Sequence, residues 1–242
     1  MCRAADEKQI TQRTQPQNHS KGCGGVMSVA PLGVSRYSAV PIEALDREGA
    51  ELAAITHGHS LGYMSAAVLT HILHRIVYPE RAQTLLQIVC EARDTVRVLF
   101  AGDKHLNELT ARIDLAIRLA DNAEPDLANI HRLGEGWVAE ETLAVAIYCA
   151  LRHADDFSAG IIAAVNHCGD SDSTGAVTGN ILGALLGYDA IGKAWTRDLE
   201  LRDVILELAD DLDRRPECLQ DRRGVDRDWA QKYVEGRAVR TV

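Results

Sequence analysis

The sequence predicts an all-α fold, a compact multi-helix bundle, and three observations carry that expectation. Apolar residues recur at steps of three and four along most of the chain, no stretch sustains a period-two alternation, and the composition of 46% hydrophobic and 25% charged residues is that of an ordinary globular protein. Residues 1–19 are polar, without a periodic apolar face, and read as a loop or a severed beginning. A Gly-rich stretch, SKGCGGVMSVAPLG, follows at 20–33. Helices are then expected near 41–56 and 59–77. Around 84–100, Leu85, Val89, Ala92, Val96 and Leu99 fall on one face of a helix. The next stripe is Leu106, Leu109, Ile113, Ile117 and Ala120, with Lys104, Glu108, Arg112 and Asp114 mostly on other faces. Further helices are expected near 138–152, 155–167, 172–186 and 199–213, although the apolar run 161–165 reads equally as a buried strand. The last thirty or so residues, with Arg214, Arg215, Arg222, Arg223 and Arg227 among acidic neighbours, read as solvated surface.

A chain of 242 residues is long enough to bury one large core, so a single domain over 20–242 is expected behind the polar start. The formal charge of −9 argues against a nucleic-acid partner, because neutralising phosphates requires basic stripes and none is present. A metal or small ligand fits that charge better. Six cysteines, Cys2, Cys23, Cys90, Cys149, Cys168 and Cys218, form no C-x-x-C pair, which points to reduced thiols rather than a zinc site. The N-terminus has no apolar signal core, and no segment approaches the roughly 18 uninterrupted apolar residues of a membrane span. A cytoplasmic protein without a membrane segment is expected.

The sharpest chemical feature is NHCGDSDSTG at 166–175, where two carboxylates one residue apart are followed by hydroxyls. Hard cations prefer oxygen ligands, and Asp170, Asp172 and Ser173 could supply three from one short turn. The same residues could instead cap the helix that follows, with Asp172 or Ser173 satisfying its first amides. An EF-hand fails, because the twelfth position counted from Asp170 is Ile181, where the loop needs a bidentate Glu. Asp170-Ser171-Asp172-Ser173-Thr174 also fits the D-x-D-x-T pattern of a haloacid-dehalogenase-type phosphatase, a reading that requires a strand ending at Asp170. Behind the acidic turn, Gly175, Gly179, Gly183 and Gly187 recur every four residues, which suggests that another backbone approaches that face closely.

The run NHCGDSDSTGAVTGNILGALLG resembles the C-terminal metal motif of the ADP-ribosylglycohydrolases. Three further stretches agree in order: SKGCGGVMSVAPLG at 20–33, THGHSLGYMSAAVL at 56–69 and LGEGWVAEETLAVAIYCALR at 133–152. The resemblance implies a helical fold in which two Mg²⁺ or Mn²⁺ ions orient the terminal ribose of an ADP-ribosyl group, so that water cleaves its bond to a protein side chain. It implies Asp170, Asp172 and Ser173 as metal ligands, with Thr174 a neighbour. Gly22, Cys23, Gly24 and Gly25 correspond to the segment that wraps ADP-ribose, where missing side chains let backbone amides approach the diphosphate. His57 corresponds to a ligand-contacting histidine, and Trp137 lies where the family lines its nucleotide pocket. Ser28 stands where many relatives carry Arg after the Met.

The resemblance also has a gap. The family's Gly-Asp-Ala-x-Gly-like and Thr-Asp-Asp-Thr-like segments have no counterpart in the sequence. The expectation is therefore a bundle incomplete at its N-terminus, truncated relative to the family, with half the metal ligands and one ion retained. The implied partners are an ADP-ribosylated protein or ADP-ribose. A non-catalytic ADP-ribose-binding remnant is the alternative, with the phosphatase behind it.

Overall fold

The structure is a computed structural model that describes residues 18–35, 40–214 and 231–233. Residues 1–17 of the polar start and most of the Arg-bearing C-terminal stretch lie outside the described residues. Among the described residues every regular element is helical, and the sole bridge between extended backbones joins Gly22 to Val138. Two short helices, α1 (Gly24–Met27) and α2 (Ala30–Val34), lead into α3 (Ile42–Ala54) and the long α4 (Ser60–Val77). Next come α5 (Leu85–Leu99), α6 (Leu106–Ala120), α7 (Asp126–Leu133), α8 (Ala139–Arg152), α9 (Phe157–Val165) and α10 (Ser171–Leu186). A 3-10 turn at Tyr188–Ala190, α11 (Lys193–Thr196) and α12 (Arg202–Arg214) complete the order.

The stripes read from sequence are the buried faces. Leu85, Val89, Ala92 and Val96 of α5 and Leu106, Leu109 and Ile113 of α6 all enter the core. Thr84 starts α5 with a capping box: its hydroxyl accepts from the Gln87 amide while the Gln87 side-chain oxygen accepts from the Thr84 amide. The ambiguous run 161–165 is helical, as part of α9. α7 had no counterpart among the expected helices, since eight residues carry too little periodicity to register.

α4 and α8 form the centre. Both are apolar almost all round, as a helix enclosed by others must be, and they pack against each other and against α3, α5, α6 and α10. The Gly stripe of α10 meets α9 in part: a Cβ at Gly175 would lie 2.6 Å from Val165 Cγ1 and one at Gly179 3.6 Å from Ile161 Cδ1. Gly187 serves differently, closing α10 with φ +80°. None of the four described cysteines is in a disulfide. No helix among the described residues is long and apolar enough to cross a membrane.

Candidate functional site

α9 ends at Val165 and α10 begins at Ser171, so the acidic turn joins two helices. The strand that a haloacid-dehalogenase-type phosphatase needs before Asp170 is absent, and that reading is overturned. The cap position of α10 is held by Asp170, while Asp172 and Ser173 lie inside the first turn. Asp172 is exposed there, at the end of the helix dipole that favours negative charge. Asp170 is 8% exposed, and its amide donates to the Glu135 carbonyl at 2.7 Å. Its Oδ2 accepts from the Ser173 hydroxyl at 2.9 Å and from the Cys23 thiol at 3.0 Å. Burial raises the Asp170 carboxyl, but hydrogen bonds with Cys23, Asp172 and Ser173 outweigh it and hold the group below the usual carboxylate range. Burial likewise pushes the Cys23 thiol up, with Asp170 adding to the rise and Ser173 opposing it.

A second chain of bonds fixes the turn from behind. The Gly169 amide donates to His167 Nδ1 at 3.0 Å, which leaves the proton of a neutral imidazole on Nε2. Nε2 then donates to Thr174 Oγ1 at 2.9 Å, and the Thr174 hydroxyl donates to the Ala164 carbonyl at 2.7 Å. Burial lowers the His167 pKa, in keeping with the neutral ring. Thr174 thus ties the end of α9 to the start of α10.

The Gly-rich segment lies against this turn from the far end of the sequence: Cys23 and Asp170 are 147 residues apart. Its glycines are explained by His57. A Cβ at Gly24 would lie 3.0 Å from the imidazole Cε1, and one at Gly25 3.2 Å from Cβ and Cγ of the same residue. The ring occupies the space that side chains would fill. Gly22 donates its amide to Ser20 Oγ at 3.2 Å, whereas Gly24 and Gly25 open α1, where first-turn amides have no intrahelical acceptor. His57 Nδ1 sits 2.8 Å from the Thr56 hydroxyl, and His59 caps α4, its Nδ1 accepting from Leu61. Ser28 donates to the Gly25 carbonyl at 2.9 Å.

The third component is the loop 134–138. Glu141, in the first turn of α8, turns back so that Oε2 accepts from the amides of Glu135 and Gly136 at 3.0 and 3.2 Å. Gly136 has φ +82°, and a Cβ there would also lie 2.8 Å from Thr174 Cγ2. This conformation carries Trp137 to the surface, 57% exposed, its indole N–H donating to Glu135 at 3.1 Å. The loop is stitched to the Gly turn: Ala139 donates to the Lys21 carbonyl at 2.9 Å, and Lys21 Nζ pairs with the buried Glu140 at 2.5 Å.

The expected residues therefore fall into one neighbourhood with unequal parts. Gly22, Cys23, Gly24, Gly25 and His57 pack together, Cys23 touches Asp170 and Ser173, and Trp137 stands on the adjoining loop. Lys21, Glu135, Glu140, Glu141 and His167, which organise the turns, were not singled out from the sequence. Their partners are distant along the chain or on backbone atoms, and the only local hint was Glu141 following two loop glycines. Asp170, Asp172 and Ser173 offer oxygen donors alone, two carboxylates and a hydroxyl at the start of one helix, the donor type a hard divalent cation prefers. Three oxygens are half the six ligands of an octahedral shell. Among the described residues no group of three or more His, Cys, Asp or Glu side chains is gathered to hold a metal.

Residues 2–221 match the protein family described as ADP-ribosylglycohydrolase. The chain is 27% identical over 214 residues to the human ADP-ribosylhydrolase ARH3, covering 81% of this chain and 58% of that protein. It is 40% identical over 112 residues to ADP-ribosylarginine hydrolase Tri1 of Serratia proteamaculans, covering 46% of this chain and 29% of that one. Among solved structures it resembles an "ADP-ribosylglycohydrolase-related protein complex", with TM-score 0.53 and 28% identity over 81% of this chain and 60% of the other. The chain thus spans a little over half the length of the ARH3 relatives it matches.

Proposed function

The chain belongs to the ADP-ribosylglycohydrolase family, and on that premise we propose that it binds ADP-ribose and hydrolyses, with a divalent cation, the glycosidic bond joining ADP-ribose to a protein side chain. The observation that carries this reading is the contact of Cys23 with Asp170 and Ser173 at 3.0 and 3.2 Å, which joins the Gly-rich turn to the acidic turn. A ligand spanning the two turns would meet backbone amides at one end and carboxylates at the other.

In this reading Gly24 and Gly25 present amides to the diphosphate, Gly22 and Cys23 complete the wrap around it, and His57 contacts the ligand beside them. The half-exposed Trp137 offers an aromatic face to the nucleotide. Asp170, Asp172 and Ser173 are the residues that would hold Mg²⁺ or Mn²⁺. Such a cation, when bound, supplies positive charge that orients the ribose and polarises the attacking water. Around it, the Cys23 and Ser173 hydrogen bonds keep Asp170 ionised, and the His167–Thr174 chain keeps the turn rigid, so reactant positioning requires little reorganisation.

The test is Mg²⁺-dependent release of ADP-ribose from ADP-ribosylated protein, comparing the chain with its Asp170→Ala/Asp172→Ala variant. Release by the first and loss in the second support hydrolysis. Binding of ADP-ribose without release by folded protein would instead indicate a non-catalytic binding module.

A further inference from the structure

We infer that the solvent-facing side of α12 docks a basic amphipathic helix of a partner protein. Val204, Ile205, Leu208 and Leu212 recur at helical spacing and are 48, 48, 44 and 38% exposed, with Leu201, 66% exposed, just before the helix, so the apolar stripe of α12 faces water. Other exposed large apolar side chains, such as Leu52, Val98 and Ile162, lie on different helices. A contiguous apolar patch with a polar rim is the usual mark of an interaction surface.

The charge around the stripe selects the occupant. From Asp198 to Asp213 there are seven acidic residues and one basic residue, Arg202. A second copy would bring an equally acidic helix against this one, and an anionic membrane surface would be repelled in the same way. A partner helix with Lys or Arg beside its own apolar stripe meets both requirements, by laying i, i+3, i+4, i+7 anchors on the stripe and its cations on the rim. One edge already shows this chemistry: the Lys232 ammonium pairs with Glu207 and Asp211, and the Tyr233 hydroxyl bonds to Asp211. With those contacts made, the stripe remains exposed. The surface is separate from the ADP-ribose reading and does not depend on it.

The experiment uses the full chain and a labelled helical peptide of about 18 residues, long enough to hold a helix, with a Leu stripe flanked by Lys. Fluorescence anisotropy compares it with the same peptide carrying Glu for Lys, against wild type and Ile205→Asp/Leu208→Asp. Docking predicts binding of the Lys peptide, at least about tenfold weaker in the variant, and none of the Glu peptide. Attraction to net charge alone predicts equal or tighter binding by the variant, which has gained two carboxylates, and that result overturns the inference. So does failure of wild type to bind the Lys peptide. Sedimentation velocity showing a wild-type dimer that the variant abolishes would assign the face to a second copy and also overturn it. Ile205→Ser/Leu208→Ser, with folding checked by circular dichroism, gives the same discrimination should the aspartates unfold α12, since charge attraction then predicts no change.

Discussion

α8 and α12 are nearly equal in length, fourteen and thirteen residues, and both are built largely from Ala, Leu, Val and Ile with acidic residues among them. α8 buries eleven residues, whereas no described residue of α12 is fully buried. The difference lies in where the charges sit. α8 confines Glu140, Glu141 and Arg152 to its ends and leaves an apolar middle that α4, α6 and α10 enclose. α12 spreads Asp203, Glu207, Asp210, Asp211 and Asp213 along its length, so one face at most can be enclosed. The same contrast separates their uses: the buried helix directs its first-turn carboxylates at the two loops of the candidate site, and the exposed one keeps a stripe for contact.

Substitutions at the two ends of this contrast should differ most. Leu143→Ala in α8, at a fully buried position, should cost about 2–5 kcal/mol in urea unfolding, the range for a buried Leu truncated within a close-packed core. A loss under about 1 kcal/mol would remove α8 from the centre of the fold. Gly136→Ala should cost about 1–3 kcal/mol, because φ +82° strains a side chain and the Cβ meets Thr174. The loss should reach the loop before the core, so limited proteolysis near Trp137 should rise while the helical circular dichroism of the folded protein is retained. Leu208→Ser in α12 should change stability by no more than about 0.5 kcal/mol, as for an unenclosed surface position. A larger loss would mean that α12 packs in solution as α8 does.

The smallest effect belongs to pH. His167 has a folded pKa below its reference of 6.5, because burial favours the neutral ring. The unfolded chain therefore binds the proton more readily, and stability falls as pH drops from about 6.5 toward the folded value, then levels off. His167→Gln should reduce that slope by an amount on the order of tenths of a kcal/mol, since the ring is partly solvated. Wild type and variant curves that run parallel below pH 6.5 would show that His167 is not held neutral.

What the sequence revealed follows the same division. The stripe around 84–100 became α5 at Leu85–Leu99, and the all-helical expectation holds among the described residues. The expected 199–213 became α12 at Arg202–Arg214, but periodicity gives a helix an apolar face without saying whether anything covers it. α7 was invisible for want of length. At the site, spacing alone did not distinguish a metal turn from a helix cap, and resemblance rather than periodicity brought residues 22–25, 57 and 137 into the same reading. The Lys21–Glu140 pair, 119 residues apart, left no local pattern at all. The glycines at 24 and 25 were legible as a tight segment, yet their reason, the His57 ring packed on them, required the fold.

The hydrogen bond between Cys23 and Ser173 spans 150 residues of chain. Closing a flexible loop of that size costs about 4 kcal/mol of chain entropy beyond a constant, a cost met only once the intervening helices have packed. Contacts of such sequence separation slow folding, because the entropy of loop closure precedes the gain from the contact. During synthesis the Gly-rich turn leaves the ribosome long before the acidic turn exists, and must wait for most of the bundle before its partner arrives. A chain that stalls short of residue 173 therefore lacks both the acidic half of the candidate site and α10, whose Val177, Ile181 and Leu182 belong to the core around α8.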